Sequence, residues 1–224
     1  MAKKYSWIMV AVVLLFLQGC VSVQPPAFDR GTGQIDTTEK SVFMLDVAFH
    51  NAYKEKYQAE NLTLKLVKKS SSGKGQDLYF EVRPPLVNSE NDHRYGLING
   101  ELEPGEYLID GITGNSTSLL IFGTFKIPVV ESVVIPENSI VYLGEVTAIN
   151  RERKDGEFRS GLVVPLIDQA VAGFSGGTMD IEIANDLASR EADLKNEYPA
   201  LKDKDITPIL LSPFDRSTLD SGAK

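Results

Sequence analysis

The chain is poor in the residues that build disulfides and metal sites. Its 224 residues include one cysteine, two histidines and one tryptophan. A single cysteine excludes an intramolecular disulfide, so the folded part must be stable through its core alone. Beyond Leu17 no apolar run is long enough to span a bilayer. The best candidate, residues 118–135, is interrupted by Lys126, Pro128 and Glu131.

Basic residues are also in deficit. The chain carries 23 Lys and Arg against 31 Asp and Glu, which gives a formal net charge of −8. An acidic balance argues against nucleic-acid binding and against a surface that lies on anionic lipid. Solubility is the simplest explanation of the excess charge.

The one cysteine follows a short apolar segment at the N-terminus. Lys3 and Lys4 precede Trp7–Leu17, an unbroken apolar run of eleven residues. As a helix this run would be roughly 16 Å long, too short for a bilayer core of about 30 Å. A basic start, a short apolar run and a small residue before a cut predict a secretory signal peptide over residues 1–19.

The cut site itself carries a resemblance. Leu17-Gln18-Gly19-Cys20 resembles the lipobox of bacterial lipoproteins, although Gln18 is a less usual residue at its position. The resemblance implies cleavage between Gly19 and Cys20, a diacylglyceryl thioether on Cys20, and acylation of the new amino group by a chain such as palmitate. Val21, where an Asp would resemble an inner-membrane retention signal, implies the outer membrane, with the protein facing the periplasm. The alternatives are an ordinary signal peptide with a chance cysteine, or an uncleaved anchor.

Four further segments follow the signal peptide. Residues 20–40 are polar, contain Pro and Gly, and predict a lipidated flexible tether with a reach of roughly 25 Å. We predict a β-sandwich domain over 41–184, a helix and strand extension packed on it over 185–212, and a disordered tail over 213–224.

The domain shows the period of two that is typical of strands. Phe43, Leu45, Val47 and Phe49 alternate with other residues, and similar sets recur along the chain. Ile140–Ile149 is apolar on both faces, which predicts a central strand. About eight short strands separated by turns predict a mainly β fold, an antiparallel β-sandwich with a C-terminal helix.

Near the C-terminus, apolar residues recur at the spacing of a helix and form a stripe along one face. It consists of Leu187, Leu194, Tyr198 and Leu201. Asn185 or Asp186 can cap its start and Pro199 ends it. Glu191 and Lys195 form an i,i+4 pair.

Two turns stand out. Pro104-Gly105 between two apolar runs predicts a hairpin, which loosely resembles those of small β-sandwich modules of the transthyretin or carboxypeptidase-regulatory kind. Asp155-Gly156 predicts a hairpin tip with a type I′ turn. The charged residues around that tip form either a binding ridge or a solvated loop; they are Arg151, Glu152, Arg153, Lys154, Glu157 and Arg159.

One serine lies in a motif that suggests hydrolysis. Ser175 is the centre of Gly173-Phe174-Ser175-Gly176-Gly177, which matches Gly-x-Ser-x-Gly. The apolar alternation after it predicts a strand rather than a helix, and His50 and His93 both precede it. The pattern therefore favours a glycine-rich turn, and we predict no catalytic residues.

Metal ligands are equally sparse. His50 and His93 have no neighbour at ligand spacing. Asp180, Glu182 and Asp186 offer oxygen atoms of the kind that calcium prefers, but the wet face of a strand explains the first two more simply. We predict neither a metal nor a cofactor.

Two functions remain open from sequence. The first is a lipid-anchored structural or protein-interaction module of the cell envelope, bound to the membrane by its lipid, with another envelope protein as partner and no catalysis. The alternative is a small-ligand or glycan-binding, or hydrolytic, envelope lipoprotein that uses a pocket lined by residues such as Tyr95, Tyr107 and Tyr142.

Overall fold

The computed structural model describes residues 22–70, 75–82, 87–88, 94–118, 121–163 and 170–220. Two β-sheets pack face to face, so the predicted β-sandwich is confirmed. In spatial order, the first sheet contains β1 (Val23–Gln24), β4 (Gln76–Glu81), β3 (Asn61–Lys68), β7 (Gly105–Ser118) and β8 (Ile121–Ile135). The second sheet contains β10 (Gly177–Ala184), β9 (Ile140–Glu152), β2 (Ser41–Asn51), β6 (Arg94–Leu102) and β5 (Val87–Asn88), and β11 (Thr207–Pro208) pairs with β9.

Most strand pairs are antiparallel, as expected. Three pairs in the described part are parallel, namely β1–β4, β2–β9 and β9–β11. The first two arise because the chain leaves one sheet for the other and then returns, so strands that are distant in sequence become neighbours running in the same direction. The third arises because the chain passes through β10 and the helix before it reaches β9 again.

The main core lies between the sheets. From β2 it receives Phe43, Leu45, Val47 and Phe49, the predicted set. Phe49 stacks on Phe125 of β8 with ring centroids 4.2 Å apart. Val141 and Leu143 are fully buried in β9, which lies between β10 and β2, so the prediction of a central strand is confirmed.

The Pro104-Gly105 turn differs from its prediction. β6 belongs to the second sheet and β7 to the first, so the turn is a corner between sheets rather than a hairpin within one. Gly105 has a φ of +146°, and the Tyr107 hydroxyl donates to the Glu103 carbonyl at 2.7 Å. Pro and Gly specify a reversal of the chain, but they do not specify whether the two arms pair with each other.

A third layer covers the outer face of the second sheet. It contains α1 (Leu187–Glu197) and a 3₁₀ turn (Pro199–Leu201), and the predicted stripe of Leu187, Leu194, Tyr198 and Leu201 is buried. The Asp186 side chain accepts from the Ser189 N–H, and the Glu191–Lys195 pair forms at 2.7 Å. The predicted cap, stripe and stop are confirmed.

The N-terminal segment belongs to this layer too. The prediction of a flexible tether is wrong for residues 22–40: Phe28 and Ile35 are buried with α1, and the Phe28 N–H donates to Asn99 Oδ1 at 3.1 Å. The reason is that the outer face of the second sheet is apolar and takes up the few apolar side chains of this polar segment.

The C-terminal tail is likewise packed over its described part. The predicted disorder is wrong for residues 213–220, where the Phe214 ring lies 6.5 Å from that of Phe158 and Arg216 binds Asp180 at 2.8 Å. A short helix, α2 (Ser217–Asp220), ends the described chain. No helix among the described residues has the length and apolar character needed to cross a bilayer.

Candidate functional site

An open groove lies over the outer face of the first sheet, beside its edge strand β8. Its volume is about 840 Å³. The floor comes from β3, β7 and β8, one wall comes from the connection between β9 and β10, and Leu219 of α2 closes one side.

Strand register arranges the floor as two rows of three polar side chains. The first row is Asn61, Asn115 and Thr124, and the second is Thr63, Thr113 and Lys126. These residues point outward because their sequence neighbours, such as Leu62, Ile112 and Phe125, are buried in the core. The two rows therefore present amide, hydroxyl and ammonium groups together on one face of the sheet.

Hydrogen bonds to both sheets hold the wall in place. Lys126 N–H donates to the Ser160 carbonyl at 2.8 Å, Ser160 N–H to Gly177 at 3.0 Å, and Gly161 N–H to Phe174 at 2.9 Å. The Ser160 hydroxyl is buried and donates to Asn150 Oδ1 at 2.7 Å. Because the base of the wall is hydrogen-bonded to β8 and β10, the fold fixes the position of the wall beside the floor.

The wall presents apolar side chains to solvent. Leu162 is 76% exposed and Val163 is 64% exposed, and Phe158 lines the groove below them. The described lining includes two cations, Lys126 and Arg159, and no carboxylate, although acids outnumber bases in the whole chain. The groove is thus the combination of a polar floor, an apolar wall and a local excess of positive charge.

The turn at Asp155-Gly156 lies within this connection and is not a type I′ hairpin tip. Gly156 has a φ of +85°, but Asp155 is not among the described residues with positive φ, and Glu157 N–H donates to the Lys154 carbonyl at 3.2 Å. A single positive φ at the second corner is the type II arrangement. The turn belongs to a long excursion rather than a tight link between β9 and β10.

Most of the charged side chains around that turn form ion pairs or hydrogen bonds within the protein. Arg151 binds Glu157 through two nitrogen atoms at 2.6 and 2.9 Å and Asp180 at 2.8 Å, and the hydrogen bond from Arg151 lowers the pKa of Glu157 to about 2. Arg153 donates to the Glu157 carbonyl and Arg159 to the Ser175 carbonyl. These arginines therefore stabilise the connection between β9 and β10 and do not form a ridge of free charges.

Ser175 lies in the turn immediately before β10. A strand therefore follows it, as the sequence predicts, and Gly173 has a φ of +83°. His50 lies on β2, and His93 is outside the described residues. The structure thus places Ser175 in a turn and not on the strand-to-helix elbow that the hydrolase motif requires.

The three carboxylates considered for calcium have separate neighbours. Asp180 binds Arg151 and Arg216, both at 2.8 Å, Asp186 caps α1, and Glu182 is exposed on β10. Within the described ranges, no group of three or more His, Cys, Asp or Glu side chains is placed to hold a metal ion.

The three tyrosines of the alternative hypothesis do not line one pocket. Tyr107 lies at the corner between the sheets, whereas Tyr142 lies beneath α1 and donates to Asp46 at 2.9 Å. Burial, followed by the charge of Asp46, raises the pKa values of both Tyr95 and Tyr142. None of the three belongs to the described lining of the groove.

Sequence reasoning missed the ion pair that accompanies these tyrosines. Asp46 is fully buried and binds Arg190 Nε at 2.8 Å, while the Arg190 guanidinium lies 5.6 Å from the centre of the Tyr95 ring. The available signal was an acid in the middle of the apolar strand β2. A buried carboxylate needs a paired cation, and only the fold reveals that the cation is 144 residues away.

Gly19 and Cys20, the predicted cleavage and lipidation residues, lie outside the described residues. Their roles remain predictions from the motif.

No family model and no curated protein matches this chain. Among solved structures, a leucine-rich repeat protein from Bacteroides thetaiotaomicron is similar at 13% identity and a TM-score of 0.31, over 50% of this chain and 14% of that one. A candidate cell adhesion protein from Parabacteroides distasonis is similar at 10% identity and a TM-score of 0.30, over 64% of this chain and 38% of that one. The chain thus spans well under half the length of either protein, and likenesses this weak carry no argument about function.

Proposed function

We propose that this protein is a lipid-anchored module of the bacterial cell envelope that binds another envelope protein and catalyses no reaction. The observation that carries the proposal is the groove, where Leu162 and Val163 expose apolar side chains on a wall hydrogen-bonded to both sheets. Exposed apolar residues on a rigid scaffold, rimmed by polar groups, are typical of interaction surfaces. The lipobox-like motif at Cys20 supports the envelope location, with the outer membrane favoured by Val21.

Site-specific photo-crosslinking in intact cells tests the binding role. A benzophenone amino acid at Leu162 is expected to crosslink to a partner protein. The same residue at Asp193, which is 73% exposed on α1 at the other side of the molecule, is the matched control and is expected to crosslink little. Equal crosslinking at both positions, or none at either, would contradict the proposal.

The Cys20→Ser variant tests the anchor separately. A serine hydroxyl is a far poorer nucleophile than a thiolate, so lipid transfer and the cut after Gly19 are both expected to stop. The variant should then accumulate as precursor and take up no radiolabelled palmitate. Label uptake by the variant would show that the motif is not a lipobox.

A second candidate is small-ligand or glycan binding, and the groove volume favours it. A volume of about 840 Å³ lies within the usual range of ligand sites, roughly 300–1,000 Å³. Native mass spectrometry of the protein isolated from its own membranes would separate the two, because a resident small molecule adds mass without a protein partner. Hydrolysis would appear as fluorophosphonate labelling that is lost in Ser175→Ala, and we expect no labelling.

A further inference from the structure

Resting on the proposed interaction role, we infer that the groove binds an extended peptide segment of a partner, with one acidic side chain set among apolar ones. The inference rests on three properties of the described lining, namely floor amides without hydrogen-bond partners, two cations with no carboxylate among the lining residues, and an exposed apolar wall. Each property matches a different part of such a segment.

The floor provides the partners that a peptide backbone needs. Asn61 and Asn115 are directly opposite each other across β3 and β7, and neither side chain has a hydrogen-bond partner among the described residues. A carboxamide offers both a donor and an acceptor, as a peptide group does. Two adjacent carboxamides on a rigid sheet can therefore bind an extended backbone in either direction.

The position of the cations selects an acidic side chain within the segment. Lys126 lies midway between Thr124 and Pro128, the two ends of the stretch of β8 that lines the groove. Its contact with Asp110, at 3.2 Å, is an exposed ion pair, and such pairs contribute little. A central cation matches a carboxylate in the middle of the segment rather than at a chain terminus, and Arg159 adds a second positive charge on the wall.

The length and the wall define the rest of the segment. From Thr124 to Pro128 a strand rises about 13 Å, which corresponds to roughly four residues of an extended peptide. Side chains alternate along such a peptide, so those on one side face Leu162 and Val163 while the acidic one faces the cations. Apolar residues beside the acidic one would cover a wall that is now mostly exposed.

Two other occupants match the lining less well. A fatty acid would leave the floor amides and hydroxyls covered by a hydrocarbon chain without partners, which is unfavourable. A glycan usually stacks on an aromatic face, but the Phe158 ring already lies 5.0 Å from the Arg216 guanidinium and edge-on to Phe214.

The test screens the full-length protein, in detergent, against an array of random octapeptides that are acetylated and amidated. Capping removes the terminal charges, so only side chains carry carboxylates. We expect bound sequences to contain Asp or Glu flanked by Val, Leu or Ile, and to weaken at least tenfold when that acid becomes its amide. Binding should also fall at least tenfold in Lys126→Glu and in the double variant Asn61→Ala, Asn115→Ala.

The matched control is Lys69→Glu, which reverses the charge of the lysine that follows β3, outside the groove, and should leave binding unchanged. Thermal melting of each variant checks that it folds. The inference is overturned if no sequence class is enriched, if the enriched peptides lack an acid, or if they bind Lys126→Glu as well as the parent. It is also overturned if oleate or a chitin oligomer saturates the groove while no peptide binds. If crosslinks to a partner form at Val134 and persist in Lys126→Glu, the interaction role survives and only this site assignment fails.

Discussion

The outer faces of the two sheets differ in how far other parts of the chain cover them. On the second sheet, Val42, Met44 and Tyr142 are buried beneath α1 and the N-terminal segment. On the first sheet the described part of the chain places only the short helix α2 beside the outer face, through Leu219, and Val130 and Val134 remain 59% and 64% exposed on the edge strand β8. Two sheets of one sandwich therefore differ in the number of faces they bury, and their strands differ in composition accordingly.

Ion pairs show the same contrast. The Asp46–Arg190 pair beneath α1 has side chains 0% and 16% exposed, whereas Lys65 and Asp110 on the first sheet are 27% and 33% exposed at a similar separation. The hydrogen bonds that Lys65 donates to Asp110 and Asp77 raise the pKa of Lys65 to about 12. A buried carboxylate such as Asp46 needs its cation, because an unpaired buried charge is costly. The partly exposed pair of Lys65 and Asp110 is solvated by water and contributes little.

The largest expected effect comes from placing one new charge on each sheet. Val141→Asp puts an unpaired carboxylate into the fully buried centre of β9 and should cost several kcal/mol of unfolding free energy, enough to prevent folding. Val134→Asp makes the same change on the exposed strand β8 and should stay within about 0.5 kcal/mol. Urea denaturation measures both, and similar losses would show that β9 is not more central than β8.

The second effect concerns the buried pair. Arg190→Ala leaves the Asp46 carboxylate beneath α1 without its cation and should destabilise the protein by about 3–5 kcal/mol. Lys65→Ala is the control on the other sheet and should cost about 0–1 kcal/mol. Equal changes in the two denaturation curves would mean that α1 does not shield Asp46 from water.

A smaller effect is expected at the start of the covering helix. Asp186→Ala removes the side chain that accepts from the Ser189 N–H and should cost about 1 kcal/mol. Asp193→Ala removes an exposed carboxylate from the same helix and should change little. Thermal melting compares them, and if Asp193→Ala melts at the lower temperature, the cap is not what stabilises α1.

The smallest effect on stability is expected in the connection between β9 and β10, which is hydrogen-bonded to both sheets. The pKa of Glu157 is lowered to about 2 in the folded state, so its stabilising effect is present above the unfolded pKa of about 4.3 and disappears as pH falls toward 2. Glu157→Gln should therefore flatten the loss of stability between about pH 4.5 and 2, by about 1 kcal/mol or less, since the pair with Arg151 is partly exposed.

Chemical denaturation across that pH range measures the difference. Glu55→Gln, an exposed site before β3, is the control and should keep the parent's slope. Parallel curves for the parent and Glu157→Gln would contradict the role given to the Arg151 contact.

Local patterns predicted local structure well. The alternation in β2, the two apolar faces of β9 and the cap and stop of α1 all follow from side-chain direction or from the backbone groups of one element. The patterns at Pro104-Gly105 and Asp155-Gly156 predict chain reversals, which the structure has, and hairpins, which it does not have. A reversal depends on a few φ and ψ angles, whereas pairing depends on which sheet each arm enters.

The groove could not be predicted because its parts are distant in sequence. Asn61, Thr113 and Lys126 come from three strands whose register sets their spacing, and Leu162 comes from a connection that only the fold places beside β8. Each of these residues is ordinary by itself. In the described lining, cations outnumber acids, whereas acids outnumber bases in the chain as a whole.

By itself the sequence determined the β-rich class, the central position of β9 and the C-terminal helix, because each follows from a contiguous pattern of side chains. The predicted lipid anchor at Cys20 rests on such a pattern too. Tertiary structure alone decided that residues 22–40 and 213–220 pack on the domain, that Asp46 meets Arg190, and that one outer face is covered while the other holds a groove. These outcomes depend on which apolar surface is left over after two sheets have formed, and that quantity belongs to the assembled fold rather than to any one segment.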